Sequence, residues 1–124
     1  MGWTAEQEAA IAARGASVVV SAAAGSGKTS VLTERLVSLL NDQDYPAERL
    51  VVVTFTHDAA NEVRARLNRR LTECILNDPE NQWFRRQHTM LQSAHISTIH
   101  SFCYSLMREQ FAALDISAGF RQMD

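Results

Sequence analysis

An α/β fold, a parallel sheet flanked by helices, is predicted by three features of this 124-residue sequence. Two apolar runs, at 16–21 and 49–55, continue without alternating with polar residues, as strands covered on both faces do. The segments that follow them repeat apolar residues at helical spacing. Between the first run and its helix lies a glycine-rich turn, and strand, glycine loop and helix in that order is a βα arrangement with a purpose beyond packing.

The elements follow in order. Thr4-Ala5-Glu6-Gln7 has the spacing of a capping box, so a first helix is expected to run to about Arg14 and stop at Gly15. Residues 16–21, with Val18-Val19-Val20 at their centre, read as a short buried strand. A helix from near Gly27 to about Leu40 carries Val31, Leu32, Arg35, Leu36, Leu39 and Leu40. After the turn-rich stretch 41–46, residues 49–55 read as a second strand, and the helix between the two strands makes a right-handed βαβ unit the natural arrangement. From about Asp58 to Leu76, Ala59, Ala60, Val63, Leu67, Leu71 and Ile75 mark an amphipathic helix. Asp78-Pro79 offers a cap and a first-position proline for a further helix to about Leu91. Residues 95–99 form a weaker strand candidate, and 101–114 return to helical spacing. Only about three strands result, fewer than a whole sheet usually has, and an open edge implies marginal stability or self-association.

The glycine-rich turn is the chemical signal. It reads Ala22-Ala23-Ala24-Gly25-Ser26-Gly27-Lys28-Thr29, matching the phosphate-loop pattern except that Ala22 replaces the first glycine. Gly25 and Gly27 permit positive φ, so backbone N–H groups can converge on phosphate oxygens, and the helix behind them adds its positive end. Lys28 is the only lysine among twelve basic residues. A lysine at a helix start opposes the helix dipole, which stability alone does not favour, but it can place a charge against terminal phosphates. The Thr29 hydroxyl is a candidate magnesium ligand. Lys28 and Thr29 are thus the catalytic candidates, and residues 22–30, closing with Ser30, are the candidate cradle for ATP and Mg2+. The fold expectation sharpens to a P-loop NTPase.

Composition sets bounds. With 46% hydrophobic and 21% charged residues the chain is expected to be a globular domain or part of one. No run reaches the roughly 18 apolar residues of a membrane span, and no secretory signal is visible, so a cytoplasmic location is expected. The net charge of -2 provides no general field for nucleic acid. Arginines cluster at Arg64, Arg66, Arg69 and Arg70 and at Arg85 and Arg86, as solvated helix faces often do. Cys74 and Cys103 read as reduced core thiols, and His100 with Cys103 lacks the further ligands a metal site needs.

Three more segments matter together with the loop: Gln7, Thr54-Phe55-Thr56-His57-Asp58-Ala59-Ala60-Asn61-Glu62, and Ser97-Thr98-Ile99-His100-Ser101-Phe102. In this order they resemble the start of a UvrD/Rep-type superfamily 1 DNA helicase. Trp3-Thr4 before Gln7, Ser21 to Ala24 before Gly25, and Gly119-Phe120-Arg121 make the chain most similar to the AddA family of helicase-nuclease subunits. The resemblance runs from Trp3 to Phe120. It implies a RecA-like sheet, the first part of helicase domain 1A with the start of an inserted subdomain, in an amino-terminal fragment of a larger motor. It implies double-strand break repair and recombination as the setting. The implied partners are DNA and a second, AddB-like protein of the same complex, with no membrane.

The resemblance also implies residue roles. Gln7 would read the adenine edge, as an amide that donates and accepts can do, and its alternative role is as the capping partner of Thr4. Phe55 would stack on a base of single-stranded DNA, within a contact set of Thr54, Phe55, Thr56 and His57; the alternative is a core position at a strand end. Thr98, His100 and Ser101 would approach the DNA backbone, although a histidine there can instead satisfy a buried carbonyl. His57 departs from an asparagine common in relatives, and Ser30 from an arginine that helps hold the nucleotide in shorter helicases. A magnesium-binding Asp-Glu strand end, a water-orienting base and an arginine finger are not assignable in this sequence, so hydrolysis by these residues alone is expected to be negligible. The alternative is a non-hydrolysing nucleotide-binding or interaction module.

Overall fold

The computed structural model describes residues 2–23, 25 and 27–121. Five α-helices and two strands follow one another as α1 (Ala5–Ala12), α2 (Lys28–Leu40), β1 (Val51–Thr54), α3 (His57–Asn77), α4 (Gln82–Met90), β2 (His95–Thr98) and α5 (Ile99–Glu109), with 3-10 turns at Ala47–Arg49 and Leu91–Ser93. The α/β expectation therefore holds, with a smaller sheet than anticipated.

β1 and β2 pair in parallel, with Val51 opposite His95 and Thr54 opposite Thr98. The crossover between them is made by α3 and α4. Alternation along β1 buries Val52 and leaves Val51 and Val53 half-exposed, so one sheet face meets the core and the other does not. Against the covered face lie Val63, Leu67 and Leu71 of α3, and Leu36, Val37 and Leu40 of α2 complete the cluster with Phe84, Leu91, Ala94 and Ile96. Two buried polar contacts tie the α2–β1 connection to α4. Gln87 Oε1 accepts from the Ala47 N–H at 2.7 Å, and Trp83 Nε1 donates to the Leu40 carbonyl at 2.7 Å.

Several expectations change. Residues 16–21 form no strand: the stretch is solvent-exposed, with Val19 at 94%. A run that is apolar on both sides becomes a strand only when a neighbour supplies its ladder hydrogen bonds, and no described residue does so. The βαβ unit accordingly joins β1 and β2 through α3 and α4, and does not use α2. At the start of α4 the cap is Asn81, whose side chain accepts from Phe84 N, and the chain around Asp78 closes α3. The last helix begins at Ile99 and ends at Glu109, earlier at both ends than its apolar spacing indicates. Cys103 is exposed and only Cys74 is partly buried. No cluster of potential metal ligands occurs among the described residues, and no described helix is long and apolar enough to cross a membrane.

Candidate nucleotide and DNA sites

The first site is built at the start of α2. Gly25 and Gly27 take φ of 80° and 81°, the left-handed backbone that only glycine adopts without strain, and Gly27 is the helix N-cap. Ala24 and Ser26 lie outside the described residues. α1, α3, α4 and α5 each begin under a side chain that accepts from a backbone N–H, namely Thr4, Thr56, Asn81 and Thr98. α2 has no such cap among the described residues, and its first turn carries no acid. Its leading N–H groups and positive end are thus presented toward the loop, where an anion would satisfy them. Lys28 is exposed and enters no ion pair among the described residues. Thr29 and Ser30 follow on the same turn.

The capping box at α1 forms as the spacing indicates: Gln7 N donates to Thr4 Oγ1 at 3.2 Å and Thr4 N to Gln7 Oε1 at 2.9 Å. The same glutamine also faces the loop, since a Cβ added to Gly27 would sit 3.9 Å from Gln7 Nε2. Thr4, Gln7, Val20, Ala22, Lys28 and Val31 line one cavity of about 350 Å3. α1 is held there by Arg35, whose Nη1 donates to the carbonyls of Ala10 at 2.6 Å and Ala13 at 2.9 Å, and by Arg14, whose Nη2 donates to Ser38 Oγ at 2.7 Å. Neither arginine is assigned a role by sequence reasoning. The available signal was Arg35 itself, an arginine within the apolar repeat of α2.

The second site lies at the carboxyl end of the sheet. The register sets Thr54 beside Thr98, so Phe55 and Ile99 leave the sheet at the same end and α3 and α5 both start there. Phe55 is 95% exposed, which removes it from the core. Thr54 Oγ1 donates to the Thr56 carbonyl at 2.9 Å, and Thr56 caps α3 by accepting from Ala59 N at 3.1 Å. His57 and His100 are exposed. Thr98 is buried at 4%, accepting from Ser101 N at 3.2 Å and donating to Ser101 Oγ at 3.0 Å, so it orients Ser101 and is itself withdrawn from the surface.

Residues 3–124 match the sequence pattern of the UvrD/REP helicase N-terminal domain. The chain belongs to this family. UvrD/REP membership accounts for the shared order of the loop, the segment after β1 and the start of α5. The chain is 52% identical over 124 residues to AddA, the first of the ATP-dependent helicase/nuclease subunits, of Moorella thermoacetica, covering 98% of this chain and 9% of that protein. Similar proteins of the same name occur in Desulforamulus reducens, 46% identical over 98% of this chain and 10% of that one, and in Heliobacterium modesticaldum, 44% identical over 98% and 9%. The chain thus spans about a tenth of the length of the curated relatives it matches.

Proposed function

We propose that this UvrD/REP-family chain is the ATP-binding and single-strand-contacting part of a longer ATP-dependent DNA helicase/nuclease, the first part of a RecA-like P-loop domain, working in the cytoplasm in double-strand break repair and recombination beside an AddB-like partner. The observation that carries the reading is the combination at α2: the one helix start without a side-chain cap among those described opens onto a cavity that Gln7 and Lys28 share. Both the volume of that cavity and its few converging polar groups are in the range for a small-ligand site.

The residues present fit a magnesium nucleotide. Bound there, it would supply the phosphoanhydride whose hydrolysis drives movement along DNA. The amides after Gly27 would hold phosphate oxygens, the Lys28 ammonium would lie against the terminal phosphates, and the Thr29 hydroxyl would be one ligand of the metal. Gln7 would meet the base edge from the α1 side. A left-handed Gly27 keeps the backbone close to the ligand, where a Cβ would strain the turn. The remaining hydrolytic groups, an acid for magnesium, a base and an arginine finger, have no candidates in this chain and are expected from elsewhere in the longer protein. At the sheet's carboxyl end Phe55 offers a stacking face, with His57, His100 and Ser101 as polar neighbours for the DNA backbone and Thr54, Thr56 and Thr98 holding their turns.

The test is calorimetric titration of MgATP into the complete gene product and its Lys28→Ala variant. Because Lys28 is exposed, its removal leaves packing intact, and binding is expected to vanish. Affinity retained in a folded variant overturns the nucleotide role.

A further inference from the structure

Ser30, next in sequence to Thr29, links the two sites through a contact that neither needs for folding. Its Oγ accepts from Arg66 Nη1 of α3 at 3.2 Å, while Arg66 Nη2 donates to Glu62 Oε1 at 2.6 Å. One turn farther along both helices Arg70 grips Glu34, with Nη2 at 2.9 Å from Oε1 and Nε at 3.0 Å from Oε2, and also bonds Glu73. Four residues separate Ser30 from Glu34 and four separate Arg66 from Arg70, so the rungs stack one turn apart and α2 and α3 run side by side in the same direction. α2 begins at the phosphate loop. α3 begins at His57, two residues after Phe55.

The rungs differ in strength. Arg70 holds Glu34 as a fork on both carboxylate oxygens, the geometry of a strong charge-assisted pair, and hydrogen bonding to Glu34 raises the Arg70 pKa further above its ordinary value. Ser30 offers a single neutral oxygen at a longer distance. A rearrangement of the first turn of α2 therefore loosens or tightens the Arg66 rung while the Arg70 rung keeps the helices together as one body.

We propose that Arg66 is a positioning residue that couples the phosphate loop to the strand-contacting end of α3, its hydrogen bond to Ser30 carrying a change at Thr29 to the helix behind Phe55. This rests on the nucleotide and DNA roles proposed above and adds the route between them. Coupling of this kind requires that the Ser30–Arg66 contact differ between nucleotide-bound and nucleotide-free states, because a contact equal in both shifts nothing.

The test measures ATP turnover of the complete gene product with and without single-stranded oligonucleotide. In Arg66→Ala the ratio of stimulated to basal turnover is expected to fall by about fivefold or more, with the basal KM for ATP and the melting midpoint unchanged. Ser30→Ala, nearly isosteric, is expected to lower the ratio similarly, and the double variant is expected to lose no more than either single one. An unchanged ratio in both single variants, or losses that multiply in the double variant, overturns the coupling role. Should Arg66→Ala unfold, the Ser30→Ala ratio alone decides between the outcomes. A wild-type protein that bound neither ATP nor DNA would instead refute the proposed function.

Discussion

At the residue scale, Phe55 divides the readings most sharply. Its sequence position at the end of an apolar run is equally consistent with a core residue and with a stacking platform. The structure puts the ring at 95% exposure, beyond the last ladder pair of the sheet, where burial contributes nothing to the fold. Phe55→Ala is therefore expected to leave the thermal midpoint unchanged and to weaken single-stranded DNA binding by about 1 to 3 kcal/mol in fluorescence anisotropy titrations of the complete gene product, with ATP affinity unaffected. An unaltered DNA affinity would remove the stacking role. Sequence alone located the phosphate loop, Gln7 and both candidate DNA segments, because each is a local pattern in which spacing carries the chemistry. It did not show that Thr98 is turned inward or that Arg35 and Arg14 fasten α1 to α2, since those facts depend on how the chain packs in three dimensions.

At the element scale, the helices were legible and the first strand was not. Helix starts announce themselves: Thr4 with Gln7, Thr56 with Ala59 and Thr98 with Ser101 are local contacts that the chain can form before anything else packs. A strand has no such autonomy, because its hydrogen bonds belong to another segment, and Val18-Val19-Val20 lacks that segment among the described residues. The same distinction explains α4, where Asp78-Pro79 and Asn81 compete as caps within a few residues and the one whose oxygen reaches Phe84 N prevails. Thr98→Ala removes both bonds to Ser101 at a buried position, so a loss of about 1 to 2 kcal/mol is expected in urea melts. Thr98→Ser retains the hydroxyl and is expected to recover most of it. An alanine variant as stable as the parent would mean that the start of α5 is held by packing alone.

At the scale of the whole molecule, the surface is large for the mass. The accessible area is 8817 Å2, against roughly 6,600 Å2 for a compact monomer of this size. Much of the excess is apolar: the Val18–Val20 stretch, Val51 and Val53 on the uncovered sheet face, and Leu106, Phe111 and Leu114 near the carboxyl end are all exposed. The 124-residue chain on its own is expected to associate as concentration rises, read as an increase in weight-average mass by sedimentation; a monomer with a sharp two-state melt would contradict this. What core there is depends on a few side chains. Leu67, fully buried on the core face of α3, is expected to cost about 2 to 5 kcal/mol on replacement by alanine, enough to consume most of a small domain's stability. Circular dichroism of Leu67→Ala at low temperature, showing native helicity lost, would check it.

The bare start of α2 has a thermodynamic corollary. Four helices bring their own hydroxyl or amide oxygen to the first turn, whereas this one leaves that task to a solute. On the proposed role, a triphosphate completes the fold as well as fuelling it, and at a hundred times its dissociation constant it would add about 2.7 kcal/mol to the native state. Heat tolerance then becomes a gauge of cellular energy supply, with the motor softest when ATP is scarce.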